Sequence, residues 1–185
     1  IDDPWDIPSI DTDSILVAIR IATSGEKLEM DVKVPGVDDE EVKVEVNLPS
    51  VLDGLKNHTW KDTFTYDDLT FHVIPLKLKH QNFFDIESFE TQRFINILQD
   101  KDLTTEKRKQ IMQEILEKAS ENNIDVVAKQ VIKITTPEGE EINPAHIKEF
   151  LSNSDTKLYN SIRDFLLENR SQFDIPPQQV AIPKD

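Results

Sequence analysis

The spacing of apolar residues changes once along this chain, and that change constrains the fold more than any other feature. From Leu28 to about Leu76 the pattern is that of strands, with apolar side chains alternating; beyond residue 80 they recur every three or four residues. Period two sends successive side chains to opposite faces of a strand, and period 3.6 gathers them on one face of a helix. Strands kept apart from helices in this way imply an α+β chain: a small antiparallel β-sheet near the N-terminus followed by a mainly helical C-terminal region. The expected divisions are a lead-in and first helix over 1–25, a β-sheet subdomain over 26–80, a helical subdomain over 81–173 and a proline-rich tail over 174–185.

Pro4 and Pro8 make the first residues extended, because each pushes the residue before it away from helix. In "DTDSILVAIRIATSG", Ile15, Leu16, Ile19 and Ala22 form a stripe that Val17 and Ile21 widen, so this helix is expected to be buried on more than one side. Asp11 or Asp13 can cap its start and Gly25 suits its stop. "MDVKVPGVDDEEVKVEVN" then reads as a hairpin, with Met30, Val32 and Val34 alternating before the break and Val42, Val44 and Val46 after it. "LPSVLDGL" allows one helical turn. "TFTY" and "LTFHVIPL" complete the sheet, joined by a tight turn at Asp67 and Asp68.

In the second half, "DIESFETQRFINILQD" places Ile86, Phe89, Phe94, Ile97 and Leu98 close to one side, with Asp85 as cap. "TTEKRKQIMQEILEKASENN" repeats the pattern with Ile111, Met112, Ile115, Leu116 and Ala119. Ile124, Val127, Ala128, Val131 and Ile132 fit a helix, although Val131 to Thr136 could equally be a strand entering the "PEGEE" turn. Two more helices follow Pro144, the second with Leu158, Ile162, Phe165 and Leu166 on one stripe.

Charge and composition remove several function classes. Thirty-six acids against 21 Lys and Arg give a net charge of -15, which repels phosphate backbones and anionic lipid, so neither nucleic acid nor membrane is an expected partner. With no cysteine there is no disulfide framework and no thiolate metal site. No run approaches a membrane span, and the acidic, proline-broken start is unlike a signal peptide, so a soluble chain is expected. The sequons at Asn57 and Asn169 are then chance matches.

The usual motifs of chemistry are missing. Four glycines form no phosphate-cradling loop, and no serine sits in a Gly-x-Ser-x-Gly elbow. His58, His72, His80 and His146 lie on unlike elements without zinc spacing. The acids after Pro35 and Gly36 lack the spaced ligand series of a calcium loop. Paired carboxylates able to split a glycosidic bond are not excluded by composition, but acids are too abundant here to single any out. No catalytic, cofactor or metal residue is therefore expected, and the chain is read as a non-enzyme. The residues expected to meet a partner are Trp5, Trp60, Phe83 and Phe84, aromatics outside the clear stripes, and Asp38, Asp39, Glu40 and Glu41 in the hairpin turn.

Taken together, "LVAIRIATSGEKLEMDVKV", "FETQRF" and "TTPEGEEINPAHIKEFL" resemble the baseplate hub subunit and hub-assembly family of T-even-like contractile-tailed bacteriophages, in the order that family follows. The resemblance implies a structural or assembly role in the tail baseplate hub through protein–protein contacts. Its partners would be other tail or baseplate proteins, self-association into a homo-oligomer being compatible with it. It implies a place in the virion, and in the host cytoplasm during assembly. Many members carry Cys-x-x-Cys knuckles near the first hairpin, where this chain has "VKVPGVDDEEVKV" and no cysteine, so the metal is lost and a solvated turn remains. The family's usual beginning and Phe-rich ending have no counterpart, which implies an incomplete chain or a shortened member. The alternative reading is an intracellular acidic adaptor or chaperone that never enters a particle.

Overall fold

The computed structural model describes residues 3–33, 41–98 and 103–178. The fold is α+β, and the chain forms two compact units: Ile1–Ser9 with Trp60–Arg170, and Ile10–Thr59 with Ser171–Asp185.

In the unit built on Ile10–Thr59, helix α1 (Thr12–Ser24) leads through Gly25 into strands β1 (Lys27–Lys33) and β2 (Glu41–Asn47), followed by helix α2 (Leu48–Lys56). Gly25 takes φ 91°, a backbone that side chains disfavour, and its N–H closes the helix onto the Ile21 carbonyl at 3.0 Å. The antiparallel register pairs Leu28 with Val46, Met30 with Val44 and Val32 with Val42, so these six share one face. The other face is charged and carries the Lys27–Glu45 ion pair.

The "LPSVLDGL" turn is longer than expected. Asn47 caps α2 by accepting from the Ser50 N–H at 3.0 Å, and Pro49 sits in the first turn, where a missing N–H breaks no helical bond. Leu48, Val51 and Leu55 then bury together with Val17, against Leu28 and Val46. The expectation that α1 is buried on several sides needs correction: Val17 is its only buried residue, and Ile15, Leu16 and Ile19 are exposed. The small core of this unit covers one face of α1 and stops there.

The unit containing Trp60–Arg170 is built on a four-stranded antiparallel sheet ordered β3-β4-β5-β6, from β3 (Thr63–Tyr66), β4 (Leu69–Val73), β5 (Val131–Thr136) and β6 (Gly139–Glu141). Between β4 and β5 come helices α3 (Leu78–Ile97) and α4 (Thr105–Ala128); α5 (Pro144–Asn153) and α6 (Thr156–Ser171) follow β6. The expected Asp67-Asp68 turn joins β3 to β4, with Asp67 at φ 49°, a conformation that Asp tolerates.

Two expectations fall here. The strand pairs read as one sheet lie in different units, and the larger sheet is completed by β5 and β6 from the second half. Val131 and Ile132 belong to a strand, not to the helix that ends at Ala128. Gln130 makes the break: its side chain donates to the Val126 carbonyl at 3.0 Å while its own carbonyl accepts from Ile74 N–H at 2.8 Å, beginning the pairing with the β4 edge.

Phe71, Val73, Val131 and Ile134 from the sheet, Ile147 and Leu151 from α5, and Leu158, Ile162 and Leu166 from α6 make the main core. The stripe expected on the closing helix is therefore packed. Asn169 continues it and is 1% exposed. Its amide pairs with a backbone: the Lys61 N–H donates to Asn169 Oδ1 at 3.1 Å, and Asn169 Nδ2 donates to the Lys61 carbonyl at 2.8 Å. A buried amide satisfied at both ends fixes the chain entering β3 onto α6.

Candidate interaction surfaces

α3 carries the largest departure from the sequence expectation. It starts at Leu78 behind Lys77, which makes no capping bond, so Asp85 is not a cap but an interior residue receiving a bond from Gln81 Nε2 at 2.8 Å. Phe84 is the one buried residue of α3 and Thr91 is half-buried; α4 packs along it, with Lys118 of α4 over the Phe94 ring at 5.9 Å. Of the stripe expected close to one side, Ile86, Phe89, Phe94 and Ile97 are all exposed, Ile86 at 52% and Phe89 at 67%. Phe83 joins them at 53%. Phe83, Ile86 and Phe89 recur every three residues, so they climb one side of the helix as an open apolar strip.

The lead-in is tied to the base of that helix. Ser9 N–H donates to the Leu76 carbonyl at 2.7 Å, and Leu78 N–H to the Ile7 carbonyl at 2.8 Å. Asp6 lies 2.8 Å from Lys79 Nζ and 3.0 Å from Lys77 Nζ, and hydrogen bonds from these two ammonium groups hold its carboxyl below the ordinary range. The short 3-10 turn Pro4–Asp6 packs against α3 and presents Trp5, half exposed.

A second feature is a groove of about 200 Å³ lined by Ser120 and Asn123 of α4, Leu151 and Ser152 of α5 and Tyr159 of α6. A second, separate hollow shares Ser120, Ile124 and Ser152 with it and is lined also by Leu116, Glu117, Glu121 and Lys148. Burial pushes the Tyr159 phenol above its ordinary pKa, and its hydroxyl has no partner among the described residues. Among the described residues, hydroxyls, an amide and aliphatic carbon line the groove, and no histidine or carboxylate is among them to take the proton of the phenol. The groove can hold a side chain; as arranged, it lacks an acid–base pair.

Histidine and carboxylate do meet at Glu141 and His146, 3.0 Å apart and exposed. Glu141 also accepts from Asn143 N–H at 2.7 Å, and this bond first, then His146, lowers its pKa. Asn143 in turn caps α5 through Ala145 N–H at 2.9 Å. The pair thus locks the β6–α5 joint. Among the described residues no cluster of three or more metal-capable side chains forms, and no helix is long and apolar enough to cross a membrane.

Of the residues expected to meet a partner, Trp5 and Phe83 are exposed and belong to the α3 side of the molecule. Glu41 is exposed at the start of β2, opposite Lys33. Asp38, Asp39 and Glu40 lie outside the described residues. Phe84 requires correction, since it is 8% exposed and turned inward as the edge-on neighbour of Phe83. Trp60 does too: it packs on the main core, and its Nε1–H is bonded to the Val73 carbonyl at 3.2 Å. The sequence reading missed Ile86 and Phe89 as surface residues because a helical stripe is normally a buried one. A signal was present, for Ile86 and Phe89 alternate with Asp85, Glu87 and Glu90.

Comparison with known protein families, curated proteins and solved structures yields no match.

Proposed function

We propose that this chain is a structural or assembly component of the baseplate hub of a contractile-tailed phage, acting through protein–protein contacts and without chemistry of its own. The phage setting rests on the sequence resemblance. Support for the mode of action comes from one observation above all: α3 leaves Phe83, Ile86 and Phe89 uncovered, and Phe84 is the one residue it buries. Soluble domains seldom leave large apolar groups clustered without a partner to cover them. The exposed Leu16 and Ile19 on α1 are of the same kind.

The test is the composition of purified particles and of assembly intermediates from infected cells, together with removal of the gene. The expected result is co-isolation with hub proteins and failure of baseplate assembly without the chain. A normal baseplate in its absence, with hub proteins that never co-purify with it, would overturn the reading. A chain found only with non-phage clients would favour the acidic adaptor, for which the net charge of -15 speaks.

A further inference from the structure

We infer that the outer face of α3 is a docking site for one kind of partner: an amphipathic helix of another protein whose apolar side is flanked by Lys or Arg. The inference rests on the proposed docking role and specifies its surface and partner.

The site is an apolar strip inside an acidic frame. Phe83, Ile86 and Phe89 are each more than half exposed. Exposed Asp85 and Glu90 and half-buried Glu87 stand between and beside them, and no Lys or Arg occurs between Lys79 and Arg93. Within the described residues no cation pairs with Glu87 or Glu90. The three apolar residues sit at helical spacing on a rigid 20-residue helix, so the complementary ligand is rod-like and offers apolar groups at the same repeat. Charge selects among such ligands. A second copy would set the same acids against themselves on a chain already at -15, and an anionic bilayer would meet the same repulsion. A helix with basic flanks gains attraction during approach and ion pairs at the rim, while the aromatics supply the affinity.

The experiment titrates the full chain against a labelled synthetic 20-residue helical peptide with Leu every three to four residues and Lys on both flanks, and against its twin with Glu in place of Lys. Variants Phe89→Ser, Phe83→Ser/Phe89→Ser and Glu90→Lys are run in parallel, their folding checked by melting curves. The Lys peptide should bind the wild type and lose about tenfold in affinity with either serine variant. Glu90→Lys should bind it several-fold more weakly, and the Glu peptide should not bind the wild type. Equal binding of the Lys peptide to wild type and Phe89→Ser would overturn the inference, because bulk charge alone would then explain it. Binding of both peptides alike, or of neither, would also overturn it. So would a dimer in light scattering that Phe89→Ser dissociates, in favour of a second copy, or Phe89-dependent binding to vesicles, in favour of a membrane. If the peptides fail while the chain still co-isolates with hub proteins, only this inference is lost. If the Lys peptide binds but hub proteins never co-isolate, only the phage setting is lost.

Discussion

Phe71 on β4 and Phe89 on α3 belong to the same unit and carry the same side chain, yet one is 0% exposed and the other 67%. Phe71 has the sheet on either side and α5 packing against it, with the Phe150 ring 6.3 Å away. Phe89 is left open on a helix that packs against α4 and the Pro4–Asp6 turn. A repeat of apolar residues therefore reports that a helix is two-faced. It does not report whether this chain or another supplies the cover. The core of the larger unit is covered by its own chain; the strip on α3 is exposed.

That contrast can be broken by mutation. The largest effect is expected at Ile162→Ala, which empties a 0%-exposed site on α6 and should cost about 2–5 kcal/mol in denaturant unfolding. A neutral result would mean that the stripe on α6 is not core. Asn169→Ala comes next. It removes both part-buried bonds between the Asn169 amide and the Lys61 backbone, so a loss of about 1–3 kcal/mol is expected, with faster hydrogen exchange at Lys61. Phe89→Ser should change stability by no more than about 0.5 kcal/mol, as surface changes do.

The smallest effect is a pH dependence. Burial, and then the charges of Lys129, Lys79 and Lys77, hold His80 below its ordinary value of 6.5. As pH falls, the unfolded chain takes up this proton before the folded one does. The stability linked to His80 is thus complete above about 6.5 and declines as pH drops from there toward the lower folded value. His80→Gln should flatten that slope in melting curves taken across this range, while leaving the neutral-pH melting point nearly unchanged.

How much was legible in the sequence follows from the same physics. α5, α6 and the stripe of Leu158, Ile162 and Leu166 could be read because their periodic face is the buried one. Asn169 was hidden in plain view: it extends that spacing by three residues, and a polar residue on a buried stripe signals a fixed hydrogen-bond partner. β5 was ambiguous because Val131, Ile132 and Ile134 suit a strand or a buried helix, and only pairing with β4 decides between them. The split of the strands between two units was invisible, since β4 takes as its second partner β5, some sixty residues further along the chain. Of the aromatics outside the clear stripes, Trp5 and Phe83 are exposed while Trp60 and Phe84 are packing residues, and Ile86 and Phe89, which share a helical stripe in the sequence, are exposed.

The measurement that bears most directly on the spare face of α3 is a pair of melting curves, Phe83→Ser/Phe89→Ser beside Ile162→Ala. The double variant is expected to melt within a degree or two of the wild type, on the order of a surface change, while Ile162→Ala melts far lower. A double variant destabilised as much as Ile162→Ala would show that these aromatics serve the fold itself, and the docking surface would vanish with them.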